Sequence, residues 1–331
     1  MGSRSLALAI PTYQRAAVLE ENLRAMRAEL EALAAPVHIL DDSHDDATAA
    51  MVTRLRADTR LQIAYRHNRP ALRHDANLIA ALGAPETDFV WLLGDGCRIE
   101  PGGLKAVHAA VQQNPDFAFV NTRPGPAPAT QRQGGPQARR FIAERAWDFT
   151  HTGATVYSRR VIDWWRADPR HQPFPNFPHL SVILAFLASA QALEIAWIGE
   201  QLVTKNQHKS PSYWMADPVP VWARDWHRVV TAHAAALPAG SLAAVLRAHS
   251  RHTGLLGLKH LLVLRAVGRL DRQTLADHGA ELAAASSAGR LGVRAVAALP
   301  RAAADALVRR HPSWRRRFLP GALGATPEGK T

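Results

Sequence analysis

Four short apolar runs punctuate the N-terminal third of the chain: Leu6–Ile10, Val37–Leu40, Leu61–Tyr65 and Phe89–Leu93. Between them lie stretches with helical spacing. Ala17–Leu33 carries Leu19, Leu23, Met26 and Leu30 on one stripe, and Ala47–Leu55 and Asp75–Leu82 read as further helices. Strands that alternate with helices in this way predict a doubly wound, mainly parallel α/β sheet. Pro11 is expected to end the first strand, because proline cannot donate to a ladder.

Sheets of this kind bind ligands beyond the carboxyl ends of their strands. Three polar clusters fall at such ends: Pro11–Arg15, Asp41–Asp46 and Gly94–Cys97. Polar groups gathered there from separate strands make a site, whereas isolated acids would be solvated turns.

The later pattern continues the α/β theme and then leaves it. Pro124–Gln137, rich in Pro, Gly, Gln and Ala, reads as a loop. Thr155–Tyr157, Ile195–Ile198 and Gln201–Thr204 read as strands, and Arg159–Arg166 and Leu180–Leu193 as helices. Beyond Ser210 only helices are predicted, over Pro220–Leu237, Ser241–His249, Gly254–Leu270, Gln273–Ala284 and Val293–Arg309. The expected division is an α/β domain over residues 1–210 and a basic helical region over 211–331, with the last dozen residues frayed.

Composition narrows the function. With 331 residues, 47% of them hydrophobic, the chain can bury a sizeable core. A net charge of +12 favours anionic partners, yet no zinc finger, aromatic RNA-binding stretch or basic zipper is present, so nucleic acid is not expected. Cys97 is the sole cysteine, which points to a reducing compartment. No signal-like core is evident, and no apolar run reaches the roughly 20 residues that span a bilayer. The most apolar stretch, Thr253–Leu270, is interrupted by Lys259, His260 and Arg265. A cytoplasmic protein, soluble or peripheral to the membrane, is expected.

Four pieces then carry a resemblance. They are Ala9-Ile10-Pro11-Thr12-Tyr13-Gln14-Arg15, Ile39-Leu40-Asp41-Asp42-Ser43-His44-Asp45, His67-Asn68 with Asn77 and Gly83, and Phe89-Val90-Trp91-Leu92-Leu93-Gly94-Asp95-Gly96-Cys97 followed by Pro101-Gly102. In order and spacing this set is similar to the family 2 glycosyltransferases, over about the first 105 residues. The resemblance implies a GT-A-like fold with a helical C-terminal extension. It also implies transfer of a sugar from a nucleoside-diphosphate donor to a hydroxyl acceptor, with inversion, in polysaccharide or glycolipid assembly. By the same resemblance Pro11, Thr12 and Tyr13 line the nucleobase pocket, and Arg15 approaches base or phosphate. Asp42 or its neighbour Asp41 holds base or ribose, Asn77 belongs to the donor site, and Asp95 meets the ribose or a metal-bound diphosphate. The chemistry agrees: a ribose diol suits a carboxylate, and an aromatic ring can cover a base. Asp45 and Asp46 read instead as caps of the helix that starts near Ala47.

Two departures from the family pattern leave alternatives open. Hard cations such as Mg²⁺ or Mn²⁺ want oxygen ligands, and in Gly94-Asp95-Gly96-Cys97 only Asp95 offers one. Asp95 could hold the metal alone. Basic groups could replace the cation, with Lys205, His208 and Lys209 as the candidates for the diphosphate. In the third alternative the chain binds a nucleotide without turnover, as a scaffold. The second departure concerns the general base. The stretch Phe174–Leu180, which matches the family's acidic helix start, holds no acid. His179 is the base candidate there, since a helix N-terminus favours neutral imidazole, and Asp168 and Asp163 are the acidic alternatives.

The leucines Leu255, Leu258, Leu261, Leu262 and Leu264, with Arg294, Arg301, Arg309, Arg310 and Arg315–Arg317, suggest a helical surface for anionic membrane, as a lipid-linked acceptor would require. A sugar nucleotidyltransferase shares the architecture, but its Gly-rich loop is replaced here by Pro11-Thr12-Tyr13.

Overall fold

The computed structural model describes residues 2–210 and 212–318, which form two compact units. The first comprises Met1–Ile142 with Asp148–Lys209, and the second Ala143–Trp147 with Ser210–Thr331. The tail expected to fray lies outside the described residues.

In chain order the first unit runs β1 (Leu6–Thr12), α1 (Ala16–Ala32), β2 (Val37–Asp41), α2 (Ala47–Asp58), β3 (Ile63–His67), α3 (His74–Leu82), β4 (Phe89–Leu92), β5 (Cys97–Ile99) and α4 (Gly103–Val111). It continues with β6 (Phe117–Asn121), β7 (Gln131–Gly134), α5 (Gly135–Arg145), β8 (Thr155–Ser158), α6 (Arg159–Ala167), α7 (Pro178–Ser189), β9 (Glu194–Gln201) and β10 (Val203–Lys205). Eight strands form one sheet in the order β3-β2-β1-β4-β8-β6-β9-β7, and β10 pairs with β5 in a separate ribbon. The β3-β2-β1-β4 half is parallel throughout, while β8 and β7 run against their neighbours. The predicted doubly wound, mainly parallel sheet is therefore present.

The apolar runs explain this half. Leu8, Ile10, Val37, Ile39, Phe89 and Trp91 belong to one buried core that the α1 stripe of Leu19, Leu23, Met26 and Leu30 joins. Strands covered on both faces read as continuous apolar runs, and these do.

Pro11 does not end β1. The strand continues to Thr12, pairing Pro11 with Leu40 and Thr12 with Asp41. On the other side β4 pairs only as far as Ala9. Thr12 O accepts from Asp42 N, so the alternation of the backbone turns Pro11 toward the side where the ladder has already stopped. A missing N–H costs nothing there. The expected loop over Pro124–Gln137 also needs correction, because Gln131–Gly134 forms the edge strand β7. Its side chains are exposed or half-buried, so backbone pairing makes the strand and no apolar pattern marks it.

The second unit is helical: α8 (Trp226–Ala232), α9 (Leu242–Thr253), α10 (Leu258–Ala266), α11 (Arg272–Ala285), α12 (Gly289–Ala298), α13 (Arg301–Arg309) and α14 (Pro312–Phe318), preceded by one π turn over Pro220–Asp225. The helix predicted over Gly254–Leu270 starts later, and the one predicted over Val293–Arg309 is divided. Gly254 closes α9 in the left-handed region at φ +79°, so α10 begins only at Leu258. Pro300 separates α12 from α13, because its ring forbids a continuous ladder.

The leucines read as membrane-facing pack inward. Leu261 and Leu264 are fully buried, and Val263 and Ala266 pack with Ala304, Val308 and Phe318; only Leu258 is exposed. Part of the arginine set caps helices. Arg301 donates to Ala266 O at 3.0 Å and Arg317 to Thr253 O at 3.0 Å, each at a helix C-terminus, where positive charge is favoured. Among the described residues no helix is long and apolar enough to cross a membrane.

Candidate functional site

The site grows from the carboxyl ends of β2, β1 and β4, three adjacent strands. The Asp95 carboxylate is its centre. It is nearly buried and receives the Thr12 hydroxyl at 3.2 Å, the Tyr13 amide at 3.4 Å and the Arg15 guanidinium at 2.7 Å. Three of the residues read from the sequence as donor-binding thus converge on a fourth. Tyr13 itself projects, 57% exposed, with its ring 6.3 Å from that of His44. An exposed aromatic beside a buried charge cluster is suited to covering a flat ligand. Pro11 is half-buried just before it.

The two neighbouring aspartates separate in role. Asp41 is fully buried and accepts from the Ser43 amide at 2.9 Å and the Tyr65 hydroxyl at 2.9 Å. It braces the turn. Asp42 receives Asn68 Nδ2 at 2.7 Å and the Leu72 amide at 3.1 Å, both on Oδ1, which leaves Oδ2 with no donor among the described residues. Asn77 stands behind this layer: it accepts from Asn68 at 3.0 Å and donates to Leu40 O at 3.0 Å. Its place is that of a strut beneath Asn68.

Sequence reasoning missed Asn22 and Asn206. Asn22 is buried on α1 and donates to Asp95 O at 2.8 Å. It accepts from Asn206 Nδ2 at 2.8 Å, and the Asn206 amide donates to Gly96 O at 2.9 Å. This chain locks the loop after β10 onto the Asp95–Gly96 turn. A lone polar residue, Asn22, one place before Leu23 of the apolar stripe was the available signal.

The three cations at the end of β10 and in that loop have different surroundings. Lys205 is exposed on β10, opposite Cys97. His208 is exposed and paired with Glu21 at 2.9 Å. Lys209 is half-buried and lies across Gly96: a Cβ at Gly96 would stand 2.8 Å from Lys209 Cγ and Cε and nearer still to Cδ. Its ammonium has no hydrogen bond or ion pair among the described residues.

These residues do not fit a divalent cation. Both Asp95 oxygens are already engaged, Gly96 offers no ligand, and burial pushes the Cys97 thiol up to about 11, so it stays protonated at neutral pH. Among the described residues no group of three or more His, Cys, Asp or Glu side chains is placed to hold a metal.

A second polar group surrounds His179, at the start of α7. His179 is buried, its Nε2 lies 3.1 Å from Thr150 O, and Nδ1 has no partner among the described residues. Since a carbonyl can only accept, Nε2 carries the proton and Nδ1 the lone pair. Burial pushes the imidazole down to about 4, although the contacts with Thr150 and Phe149 act the other way. Asp75, from the first turn of α3, supplies the acid missing from this stretch: it receives the Asn176 amide at 3.0 Å and contacts His74 at 2.7 Å. Burial raises its pKa, but these bonds outweigh that and hold it below the usual carboxylate range. His151 is also unforeseen. Its Nδ1 is buried and unpaired, and burial together with the charges of Lys209, Arg123 and His179 pushes its pKa down to about 3. Asp168 is bound by Arg170 at 2.7 Å, which holds its carboxyl far below the usual range. Asp163 pairs with Arg159 at 3.5 Å on the exposed side of α6.

His151, His179 and His260, the last also pushed down to about 3 by burial, carry a shared consequence. Each stays neutral when folded and protonates at about 6.5 when unfolded, so the unfolded chain binds more protons below pH 6.5. Stability is full above that pH and is lost as pH falls toward 4. At about pH 5 the loss should be on the order of 2 kcal/mol per histidine. Thermal midpoints between pH 7 and 5 measure it, and a flat profile would contradict the buried neutral histidines.

Comparison with known proteins completes the site. The model of "Glycosyl transferase family 2" matches residues 7–163, which hold β1 to β4 and every residue around Asp95 except Asn206 and Lys209. Abequosyltransferase RfbV of Salmonella typhimurium is 27% identical over 119 residues, so the match spans 36% of this chain and 36% of that protein. Mannosyltransferase PcManGT of Pyrobaculum calidifontis, solved with GDP-Man and Mn²⁺, superposes with a TM-score of 0.53 at 15% identity over 95% of this chain and 83% of that one. S. aureus TarS 1-349 in complex with UDP-GlcNAc gives a TM-score of 0.54 at 16% identity, over 92% of each chain.

Proposed function

We propose that this chain, whose residues 7–163 match the model of glycosyl transferase family 2, moves a sugar from a nucleoside-diphosphate donor to a hydroxyl acceptor. One observation carries the reading: Thr12, Tyr13 and Arg15 close on Asp95 while Asp42, bonded to Thr12 through its backbone, keeps Oδ2 without a donor among the described residues. A base can lie on Tyr13, and a ribose diol or ring edge can donate to Asp42 Oδ2. The two solved neighbours, whose ligands are GDP-Man and UDP-GlcNAc, support a nucleotide-sugar donor.

The reaction fits a single displacement with inversion. The acceptor hydroxyl attacks the anomeric carbon, its proton passes to a base, and the nucleoside diphosphate leaves with the bonding pair. His179 Nδ1 is the base this reading assigns, with Asp75 holding the Asn176 amide of the turn before α7. Acceptors in polysaccharide or glycolipid assembly suit the basic second unit.

Thermal shifts with UDP, GDP, CDP, ADP and dTDP test the donor class, followed by transfer or hydrolysis of the matching sugar nucleotide. One nucleotide is expected to stabilise selectively, by about 2.7 kcal/mol at a hundredfold excess over its Kd. Stabilisation with no turnover toward any acceptor or water would favour the scaffold reading. If none of the five binds, the transferase reading is wrong.

A further inference from the structure

We infer that the Lys209 ammonium, fixed over Gly96, takes the place of a divalent cation on the donor diphosphate, so that the protein grips its donor without metal. The inference rests on the nucleotide-sugar reading above and specifies how that site handles charge.

Three observations point to Lys209. The first is what an incoming anion meets at the ends of β1, β2 and β4. Of the buried carboxylates there, Asp41 and Asp42 receive neutral donors from Ser43, Tyr65, Asn68 and Leu72, and Asp95 is balanced by Arg15 at 2.7 Å, so Arg15 brings no surplus charge. The second is that Lys209 does bring a surplus. It is half-buried, its stem lies across Gly96, and its ammonium is unpaired among the described residues. A half-buried cation with no ion-pair partner at its head is poised for an anionic ligand. Lys205 and His208 lack this combination: one is exposed and the other is bonded to Glu21.

The third is that the position is built. The loop is anchored through Asn206, whose side chain meets Asn22, whose amide meets Gly96 O, and whose carbonyl receives the Lys209 amide at 3.2 Å. The Lys209 stem then lies in space that exists because residue 96 has no side chain. The position that lacks a ligand oxygen is therefore also the position that admits the lysine. A fixed charge at the leaving group needs no reorganisation when the bond breaks, which is how such groups stabilise developing charge. The metal misfit and the lysine placement have one structural cause at Gly96.

The test is nucleotide affinity in EDTA, which reads the diphosphate grip without requiring turnover. Lys209→Met keeps the stem that packs on Gly96 and removes the charge; Lys209→Arg restores a charge. The wild-type chain is expected to bind its preferred nucleoside diphosphate equally well in EDTA and in Mn²⁺. Lys209→Met should weaken that binding about 10- to 100-fold, leave the corresponding monophosphate far less affected, and be recovered in part by Lys209→Arg. Wild-type binding that needs Mn²⁺, or a Lys209→Met chain that binds the diphosphate as tightly as wild type, would overturn the inference while leaving the transferase reading intact. Equal loss for mono- and diphosphate would show that Lys209 only holds the loop, and would overturn it too. Should no nucleotide bind the wild-type chain under either condition, both readings fall together.

Discussion

Asp95→Ala is expected to lower donor turnover by about 100- to 1000-fold, the scale seen when one fixed electrostatic partner is taken from a reacting site. The carboxylate is the meeting point of the Thr12 hydroxyl, the Tyr13 amide and Arg15, so its removal frees three groups at once. Arg15 retains some access to water, and the stability cost should be about 1–3 kcal/mol. Asp95→Asn separates shape from charge. An amide oxygen can still accept from Thr12 or Tyr13, but the amide nitrogen opposes Arg15. The asparagine variant should therefore keep most of the stability and still lose most of the activity. Steady-state rates and urea unfolding on both variants decide this. If Asp95→Asn turned over like wild type, the Asp95 knot would be scaffolding and the donor site would lie elsewhere.

The parts of this site that could be read from the sequence are those set by backbone topology. Apolar runs located β1, β2 and β4, and in a parallel sheet the ends of such runs lie together, so the convergence of Tyr13, Asp42 and Asp95 followed from pattern alone. Pattern does not reach the division of labour between Asp41 and Asp42. It depends on Tyr65 and Asn68, which arrive with β3 and its following turn. The sequence offers Lys205, His208 and Lys209 alike for the diphosphate and does not single out Lys209, whose seat is defined by an absent side chain at Gly96, more than a hundred residues earlier in the chain. β7 carries no apolar period because its pairing is made by main-chain groups at a sheet edge. Pro11 misled for a related reason: whether a proline ends a strand depends on which side of it a partner lies, and that side is fixed only by the β1–β4 register.

His179→Asn is expected to cost about 100- to 10,000-fold in kcat, the range for a lost general base, with little change in KM for the donor. Geometry motivates this before acidity does. Nε2 is committed to Thr150 O, so the remaining lone pair is on Nδ1, where no group among the described residues uses it. With the imidazole pushed down to about 4, the base is neutral across the neutral range, and kcat should be flat from about pH 6 to 8 and fall only toward 4, where unfolding also sets in. Asp168→Asn is the matched control: that carboxylate is neutralised by Arg170, and its loss should leave the rate unchanged. Asp75→Asn supplies the competing outcome. Asp75 reaches the same region from α3 and holds the Asn176 amide, so its replacement should disturb the turn before α7 and reduce kcat less than the histidine change does. A silent His179→Asn together with a collapsed Asp75→Asn would move the proton to the carboxylate. The acid that the stretch before α7 lacks would then be delivered from the start of a helix a hundred residues away.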